Sequence, residues 1–340
     1  MKIFVPFVKK TIAVFNVFSI VASQSLFASQ IVIDTTQTTN NPHLTHSQNN
    51  IDIVNIAKPS QAGISNNFYH DFNVAKEGAI LNNTLSQEVF TNTQLAGLIY
   101  SNPNLDIATA KLILNQVTGA NLSELLGYLE IAGSKADMLL ANPNGITCQG
   151  CGFINAGNVS LATGTLSKEE LERLNNLKDY TNHTALTLNI KKGEIIADAL
   201  DAKNVASLTL LAKSMNVTDS LQAQNLRILL GSNQVTFSPL TLLYQPIILD
   251  NQEQNKALAL DVAYLGSIFS NKIFIVATDK GVGIKNAGMI ASTASQSNGD
   301  NGFILRADGT IEIARPIEVT TRTDILTAEA NKTDSKALTI

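Results

Sequence analysis

The sequence contains no tryptophan, and only 15% of its residues are charged. A helical enzyme would be expected to carry more Glu, Lys and Arg than this. Beyond the N-terminal segment, no stretch approaches the roughly 18 apolar residues that a transmembrane helix needs. No long basic run occurs either, which argues against a nucleic-acid-binding surface. The abundant residues, Asn, Thr, Ser, Ala, Leu and Ile, favour stacked β-strands joined by polar turns.

Motifs of common catalytic sites are also missing. The sequence has no G-x-S-x-G, H-E-x-x-H or P-loop pattern. His70 and His183 have no setting of carboxylate and nucleophile around them. The acidic residues Asp198, Asp201 and Asp219 are scattered along β-like segments, where solvation explains them. We therefore expect no catalytic residues, no cofactor and no metal site.

The N-terminal segment has the features of a secretory signal peptide. Three lysines lie within the first ten residues, an almost uncharged apolar run covers Thr11–Ala22, and small residues follow. Cleavage is expected after Ala28 or Ser29. Removing residues 1–28 takes away three lysines and no acids, which moves the net charge from −4 to −7. We therefore expect a mature chain that is exported.

A short pattern, Gly-x-Ile, recurs along the chain. Its copies begin at Gly78, Gly193, Gly288 and Gly309, and the last two are 21 residues apart. A glycine turn that leads into a strand with a buried isoleucine would produce this pattern.

β-like runs recur at a similar distance. Leu188, Leu208 and Leu226 each lie in such a run and are separated by 20 and 18 residues, a spacing typical of the coils of a parallel β-helix. The alternative is a β-sandwich, whose strands recur about every 8–12 residues with hairpin turns. Turns of that kind are scarce, and Asp308-Gly309 is the best candidate. The spacing therefore favours a solenoid.

One segment predicts a helix instead. Ser167-Lys-Glu-Glu170 is a capping box, in which the Ser oxygen and the Glu side chain bind the first free N–H groups. Leu171, Leu174 and Leu177 follow at three-residue spacing. We expect a short amphipathic helix from Lys168 to about Lys178, with its apolar side packed on the solenoid.

Two similar turn motifs interrupt the β-like pattern. In both, the first Asn can accept a hydrogen bond from the backbone two residues on, and Pro presets φ. In the second motif, a glycine in fourth place suits a type I turn. The first motif is Asn102, Pro103, Asn104 and Leu105, and the second is Asn142, Pro143, Asn144, Gly145 and Ile146.

The segments around these turns resemble the two-partner secretion domain of filamentous-haemagglutinin-like exoproteins, also called the haemagglutination activity domain. The resemblance covers roughly residues 30–315. The matching segments follow one another in order, at 110–119, 127–130, 141–155, 161–165, 225–235 and 265–288.

The resemblance implies an all-β fold, a right-handed parallel β-helix with extra strands near its N-terminal end. After the signal peptide expected at 1–28, it implies a secretion domain at 29–315 and either the end of the solenoid or a poorly ordered tail at 316–340. It also implies export through the periplasm to the cell surface or medium by an outer-membrane β-barrel partner with POTRA domains. Both Asn-Pro-Asn motifs are then secretion motifs.

For function, the resemblance implies adhesion, haemagglutination or toxin delivery, directed at a host or a neighbouring cell. The alternative is a secreted β-helix enzyme that degrades polysaccharides, which would need a cluster of Asp, Arg and Lys on one face. Family members are usually far longer than this chain. We therefore expect a truncated exoprotein, a fragment or a stand-alone secretion domain, and the choice between adhesin, cytolysin and growth-inhibition toxin stays open.

Cys148 and Cys151 are the two cysteines of the sequence. A redox centre would need a helix N-terminus in a βαβ setting, whereas this pair lies in a Gly-rich turn between strands. A zinc site would have to recruit His43 and His46, a hundred residues away. In an oxidising compartment a structural disulfide is the favoured state. A Cys-x-x-Cys at this place resembles the haemolysin and contact-dependent growth-inhibition branches of the family.

Overall fold

The computed structural model describes residues 30–247, 258–293 and 302–319, and the backbone of 326–332. The predicted signal peptide lies outside the described residues. Within the described part there are one α-helix, α1 (Lys168–Asn175), a 3-10 turn at Ser86–Glu88, and thirty strands. The strands are β1 (Ile31–Ile33), β2 (His43–His46), β3 (Asp52–Asn55), β4 (Ile64–Phe72), β5 (Ala79–Asn83), β6 (Phe90–Thr93), β7 (Gly97–Tyr100), β8 (Leu112–Val117), β9 (Ser123–Leu125), β10 (Tyr128–Gly133), β11 (Ala136–Ala141), β12 (Ile146–Gln149), β13 (Gly152–Ile154), β14 (Ala156–Ala162), β15 (Gly164–Thr165), β16 (Leu186–Ile190), β17 (Glu194–Asp198), β18 (Leu200–Ala202), β19 (Ser207–Ala212), β20 (Ser214–Val217), β21 (Ser220–Leu230), β22 (Asn233–Phe237), β23 (Leu242–Pro246), β24 (Leu258–Val262), β25 (Ser267–Ala277), β26 (Gly283–Asn286), β27 (Met289–Ser292), β28 (Phe303–Ile313), β29 (Ile317–Val319) and β30 (Leu326–Lys332).

Most strands lie in three parallel stacks, which form the three sides of a β-helix. Stack 1 contains β4, β8, β11, β14, β19, the second half of β21 and of β25, the first half of β28, and β30. Stack 2 contains β9, β12, β17, β20, β24, β26 and the end of β28. Stack 3 contains β3, β5, β10, β13, β18, the first half of β21 and of β25, β27 and β29.

The chain visits the stacks in turn, which makes each circuit one coil. For example, β11, β12 and β13 lie in stacks 1, 2 and 3, and β14 then returns to stack 1 beside β11. At the N-terminal edge, β1 and β2 pair antiparallel with β4 and β3 and cover the first coil. The predicted parallel β-helix is thus the observed fold.

In-register apolar ladders fill the interior. In stack 1 one ladder joins six consecutive coils, and each of its side chains is 0% exposed. Each such side chain contributes about 1.5–3 kcal/mol through burial. Its members are Leu140, Leu161, Leu210, Ile228, Ile275 and Leu305.

The Gly-x-Ile pattern marks buried isoleucines, as predicted. Ile80, Ile195 and Ile290 are 0% exposed and Ile311 is 5% exposed. The hairpin candidate at Asp308-Gly309 was wrong, because β28 runs through Gly309 from stack 1 into stack 2.

The periodicity of leucines was correct in part. Leu208 and Leu226 are paired neighbours in stack 1. Leu188 belongs to no coil: it lies on β16, opposite Val235 of β22. Strands β15, β16, β22 and β23 form an antiparallel sheet outside the solenoid, packed on the outer face of stack 1 at Leu211 and Leu229, among others. Extra strands therefore occur in the middle of the chain as well as at the N-terminal hairpin β6–β7.

Helix α1 begins where predicted and ends earlier, at Asn175. The Ser167 hydroxyl accepts a hydrogen bond from Glu170 N at 3.2 Å, as expected for the cap. The Glu170 carboxylate does not complete the capping box, since it accepts from Arg173 and from Thr187 N at 2.8 Å. It therefore ties the helix to β16. Leu174 is buried in the cluster under the extra sheet, so the apolar stripe is a packing surface.

Candidate functional site

The first Asn-Pro-Asn turn follows the hairpin β6–β7. Asn102 is 0% exposed. Its Oδ1 accepts from Asn104 N at 2.9 Å, and its carbonyl accepts from Leu105 N at 3.2 Å, which closes the turn in the predicted way. Its Nδ2 donates to Ile56 O at 3.0 Å and Asn82 O at 2.8 Å. These carbonyls lie at or just past the ends of β3 and β5, so the side chain joins two coils.

The other residues of this turn differ in exposure. The Asn104 side chain donates to Ile56 O at 3.0 Å and also lies 3.3 Å from His43 Nδ1. Pro103 is exposed, whereas Leu105 is 0% exposed and belongs to the main core. The fourth residue thus anchors the turn in the interior.

A charged pair follows the first turn. The Lys58 ammonium lies 2.8 Å from Asp106 Oδ1. Its hydrogen bond lowers the pKa of the Asp106 carboxyl. Both side chains are at least half exposed, so the pair adds little to stability.

The second turn forms the corner between β11 in stack 1 and β12 in stack 2. Asn142 is also 0% exposed, and its N–H donates to Ala162 O of the next coil at 2.9 Å. Its Oδ1 accepts from Asn144 N at 2.9 Å. Its Nδ2 donates to Asn121 O at 3.0 Å and Ser123 Oγ at 2.9 Å, both in the preceding coil. This side chain therefore contacts the coil before its own while its backbone binds the coil after.

The remaining residues complete this corner. Asn144 Nδ2 donates to Gly119 O at 2.8 Å, and its Oδ1 accepts from Lys192 Nζ at 3.0 Å. Gly145 has φ +130°, and a Cβ there would lie 3.1 Å from Glu194 O. Ile146 begins β12 and is 1% exposed. Glycine thus allows the next coil to approach the turn.

The two turns share one arrangement: a buried Asn that closes its own turn and binds a neighbouring coil. The internal bond is what the sequence predicted. The bonds between coils were not predicted, because their acceptors lie about 20 to 50 positions away. Each turn is completed when two coils are stacked, so the motifs can couple the folding of one coil to the next.

A disulfide joins Cys148 and Cys151 just after the second turn, with the Cα atoms 5.3 Å apart. Cys148 lies near the end of β12 and Cys151 just before β13, with Gly150 between them in the left-handed region at φ +80°. Bonded to each other, these sulfurs are not thiolate ligands for zinc. His43 contacts Asn104, and His46 lies 3.0 Å from an Asp52 oxygen.

His70 has a carboxylate neighbour, Asp34, that the sequence did not reveal. Asp34 Oδ1 lies 3.6 Å from His70 Nε2, although the two residues are 36 positions apart. Burial by itself raises the pKa of Asp34, but hydrogen bonds from Thr118 and Thr36 outweigh it and hold the pKa well below its usual range. The Thr118 hydroxyl donates to the carboxylate at 2.6 Å, although the two residues are 84 positions apart. The Asp34 carboxylate therefore has a structural role, joining two distant segments.

In the described part of the chain, no three His, Cys, Asp or Glu side chains gather in a way that would hold a metal ion. Among the same residues, no helix has both the length and the apolar composition that a membrane crossing requires.

The three-sided coil, the antiparallel strands at its N-terminal edge and the buried Asn turns define a class of protein, the capped parallel β-helix. A family model described as the TPS secretion domain matches residues 29–313. The chain therefore belongs to the two-partner secretion family, whose members are secreted or surface-exposed exoproteins. The fold is also that of a solved structure, the filamentous hemagglutinin secretion domain, with TM-score 0.67, 24% identity, and coverage of 89% of this chain and 96% of that one.

Several relatives of this chain are much longer than it is. The chain is 38% identical over 69% of its length to a tRNA nuclease CdiA of Yersinia mollaretii, and 38% identical over 72% to a 16S rRNA endonuclease CdiA of Enterobacter cloacae. It is 32% identical over 92% to a tRNA nuclease CdiA of Escherichia coli O6:K15:H31. The matches span only 7% to 9% of those proteins. The nuclease activities in these names therefore belong to the whole relatives, and the comparisons give no support to a polysaccharide-degrading enzyme.

Proposed function

We propose that this chain is the secretion domain of an exoprotein and is recognised in the periplasm by an outer-membrane β-barrel transporter with POTRA domains. The family match over residues 29–313 carries this proposal. On the cell surface or in the medium the domain forms a β-helix that serves adhesion, haemagglutination or toxin delivery. The target is a host or neighbouring cell.

The two Asn-Pro-Asn turns are proposed as the motifs on which export depends. Asn102 and Asn142 are fully buried, and each binds its own turn and a neighbouring coil. Coils that fold one after another as the chain leaves the transporter would each form hydrogen bonds to the previous coil through such a turn. These bonds would keep the exported part folded and so favour export over return of the chain to the periplasm. Loss of these hydrogen bonds would slow export more than it would destabilise the fully folded solenoid.

The first experiment compares secretion with and without the transporter partner. The protein is expressed from the same plasmid in both strains, and medium and periplasm are assayed by immunoblot. We expect protein in the medium only when the partner is present. Equal amounts in both media would refute the assignment as a two-partner substrate.

The second experiment tests the turns. Asn142→Ala and Asn144→Ala should reduce the amount in the medium and increase the amount in the periplasm, while thermal unfolding of each purified variant remains cooperative. Asn182→Ala, an exposed position, is the matched control and should be exported like wild type. Normal export of both variants would show that the second turn is structural only.

We infer further that the domain has no catalytic activity of its own. Of the acids considered in the sequence, Asp201 accepts a hydrogen bond from Tyr128 Oη at 3.1 Å and lies 3.4 Å from Lys203 Nζ. These contacts hold the carboxylate in a structural role. Incubation with polygalacturonate and calcium should release no product, and measurable cleavage would contradict the inference.

A further inference from the structure

The disulfide of this domain lies inside the solenoid. Cys148 and Cys151 belong to the main core cluster and are 0% and 1% exposed. Gln149 and Gly150, which lie between them, are the exposed residues of this corner. The bonded sulfurs are therefore covered by other parts of the chain.

Coils are stacked on both sides of Cys148. In stack 2 it pairs with Leu125 of the preceding coil and with Ala197 of the following coil. Its sulfur is thus held in an apolar ladder with one neighbour synthesised before it and one synthesised about 50 residues later.

Backbone hydrogen bonds hold the following coil onto the same corner. Gly150 N donates to Asp198 O at 2.8 Å, and Asp201 N donates to Cys151 O at 2.9 Å. A surface cavity that is also lined by Tyr128 borders Cys151, but the residue is still only 1% exposed. The coil of residues 194–202 is therefore the cover of the disulfide.

Making or breaking a disulfide by exchange requires a thiolate to reach one of the sulfur atoms. In the stacked solenoid no protein thiol has that access to Cys148 or Cys151. The bond must then form while the coil of residues 194–202 is not yet folded onto the corner. At that stage the cysteines are part of an open chain.

The disulfide also joins two residues that are close in the sequence. The cysteines are three positions apart, so the oxidised chain contains a four-residue ring and otherwise remains linear. A disulfide between distant residues would close a large loop and block passage of an extended chain. This disulfide leaves an extended chain free to pass.

We propose that Cys148 and Cys151 are oxidised in the periplasm by a protein thiol oxidase, and that the chain crosses the outer membrane with this disulfide already made. The proposal rests on the proposed export route. One Cys thiolate attacks the disulfide of the oxidase and releases one oxidase thiolate. The second Cys thiolate then attacks the mixed disulfide and releases the other. The chain loses two electrons and two protons, and the oxidase ends as a dithiol.

The first test measures access to the bond in the purified secreted protein. Dithiothreitol is added in native buffer and in denaturant, and samples are quenched with a maleimide and analysed by mass. We expect reduction to be at least about 100-fold slower in native buffer, because coils must open first. A disulfide-bonded peptide of residues 144–155 is the control and should react at similar rates in both solvents. Equal rates for the whole protein in both solvents would overturn the proposal.

The second test determines the order of events in cells. In a strain without the transporter, chain trapped in the periplasm should already carry the disulfide and resist alkylation. In a strain without periplasmic thiol oxidases, the chain should carry two thiols that alkylate after unfolding. Free thiols in the trapped chain combined with a disulfide in the secreted one would overturn the proposal, as would normal oxidation without the oxidases. Secretion that needs no transporter would instead refute the proposed function and leave the ratio of reduction rates unchanged.

Discussion

The two Asn-Pro-Asn turns share two internal hydrogen bonds but occupy different places in the solenoid. The first follows an extra-helical hairpin, and its fourth residue, Leu105, is inserted into the core. The second is a corner between two stacks, and its fourth residue, Gly145, leaves room for Glu194 O of the next coil. Three residues therefore specify the turn, and the fourth adapts it to its surroundings.

The comparison separates two kinds of contribution. The buried Asn contributes hydrogen bonds that are alike in both turns, so its replacement should cost a similar amount in each. The fourth residue contributes apolar burial in one turn and backbone freedom in the other, so its replacement should have different effects. Four predictions follow in order of decreasing effect; the first three test this division, and the fourth concerns the ion pair beside the first turn.

The largest effect is expected for Leu105→Ala. The side chain is 0% exposed, and its removal should lower the free energy of unfolding by about 2–5 kcal/mol. Urea unfolding followed by circular dichroism measures the change. Leu98→Ala, at a position that is 67% exposed on β7, is the matched control and should change stability little. A similar loss in both variants would show that Leu105 does not anchor the turn.

Next come Asn102→Ala and Asn142→Ala. Each removes one hydrogen bond accepted from a backbone N–H and two donated hydrogen bonds in a buried site, and should cost about 1–3 kcal/mol. Asn142→Ala also removes a bond accepted from Asn144 Nδ2 at 3.2 Å. The two losses should agree within about 1 kcal/mol, the net contribution of the one additional hydrogen bond at Asn142. If one variant is much less stable than the other in urea unfolding, the turns are not equivalent.

Gly145→Ala should cost about 2 kcal/mol, since it combines an unfavourable φ of +130° with a close approach to a carbonyl. Gly97→Ala at the hairpin tip is the control. Gly97 also has positive φ, +67°, but open space around it, so the cost there should be nearer 1 kcal/mol. Thermal unfolding of both variants measures the difference in lost stability. Equal losses would show that the close approach of Glu194 O to Gly145 adds nothing to the cost.

The smallest effect on stability is expected for the ion pair between Lys58 and Asp106, beside the first turn. The hydrogen bond from Lys58 lowers the pKa of Asp106 from its ordinary value of 3.8. A lowered folded-state pKa means that the pair stabilises the fold above pH 3.8 and that this contribution is lost as the pH falls through the folded-state pKa. Lys58→Gln should return the pKa toward 3.8, as measured by NMR titration. An unchanged pKa would mean that the pair is not formed in solution.

Features that depend on a few neighbouring residues were predictable from the sequence. The N-cap at Ser167, the internal bond from Asn144 N to Asn142 Oδ1, and the burial of Ile80 all follow from spacing within four positions. Recurrence at about 20 residues also predicted the parallel coils, because each coil must bury its own apolar residues on its neighbours.

What the sequence by itself determined was therefore the class of fold, the two turns and the helix start. Tertiary structure alone decided which strand each apolar run joins: Leu188 and Leu208 lie in similar runs, yet one belongs to an antiparallel outer sheet and the other to stack 1. It also decided the coil partners of Asn102 and Asn142 and the cover over Cys148 and Cys151. The reason is that apolar burial is non-directional. A run that alternates apolar and polar residues predicts that one face of the strand is buried. Only the folded chain determines which neighbouring strand or sheet buries it.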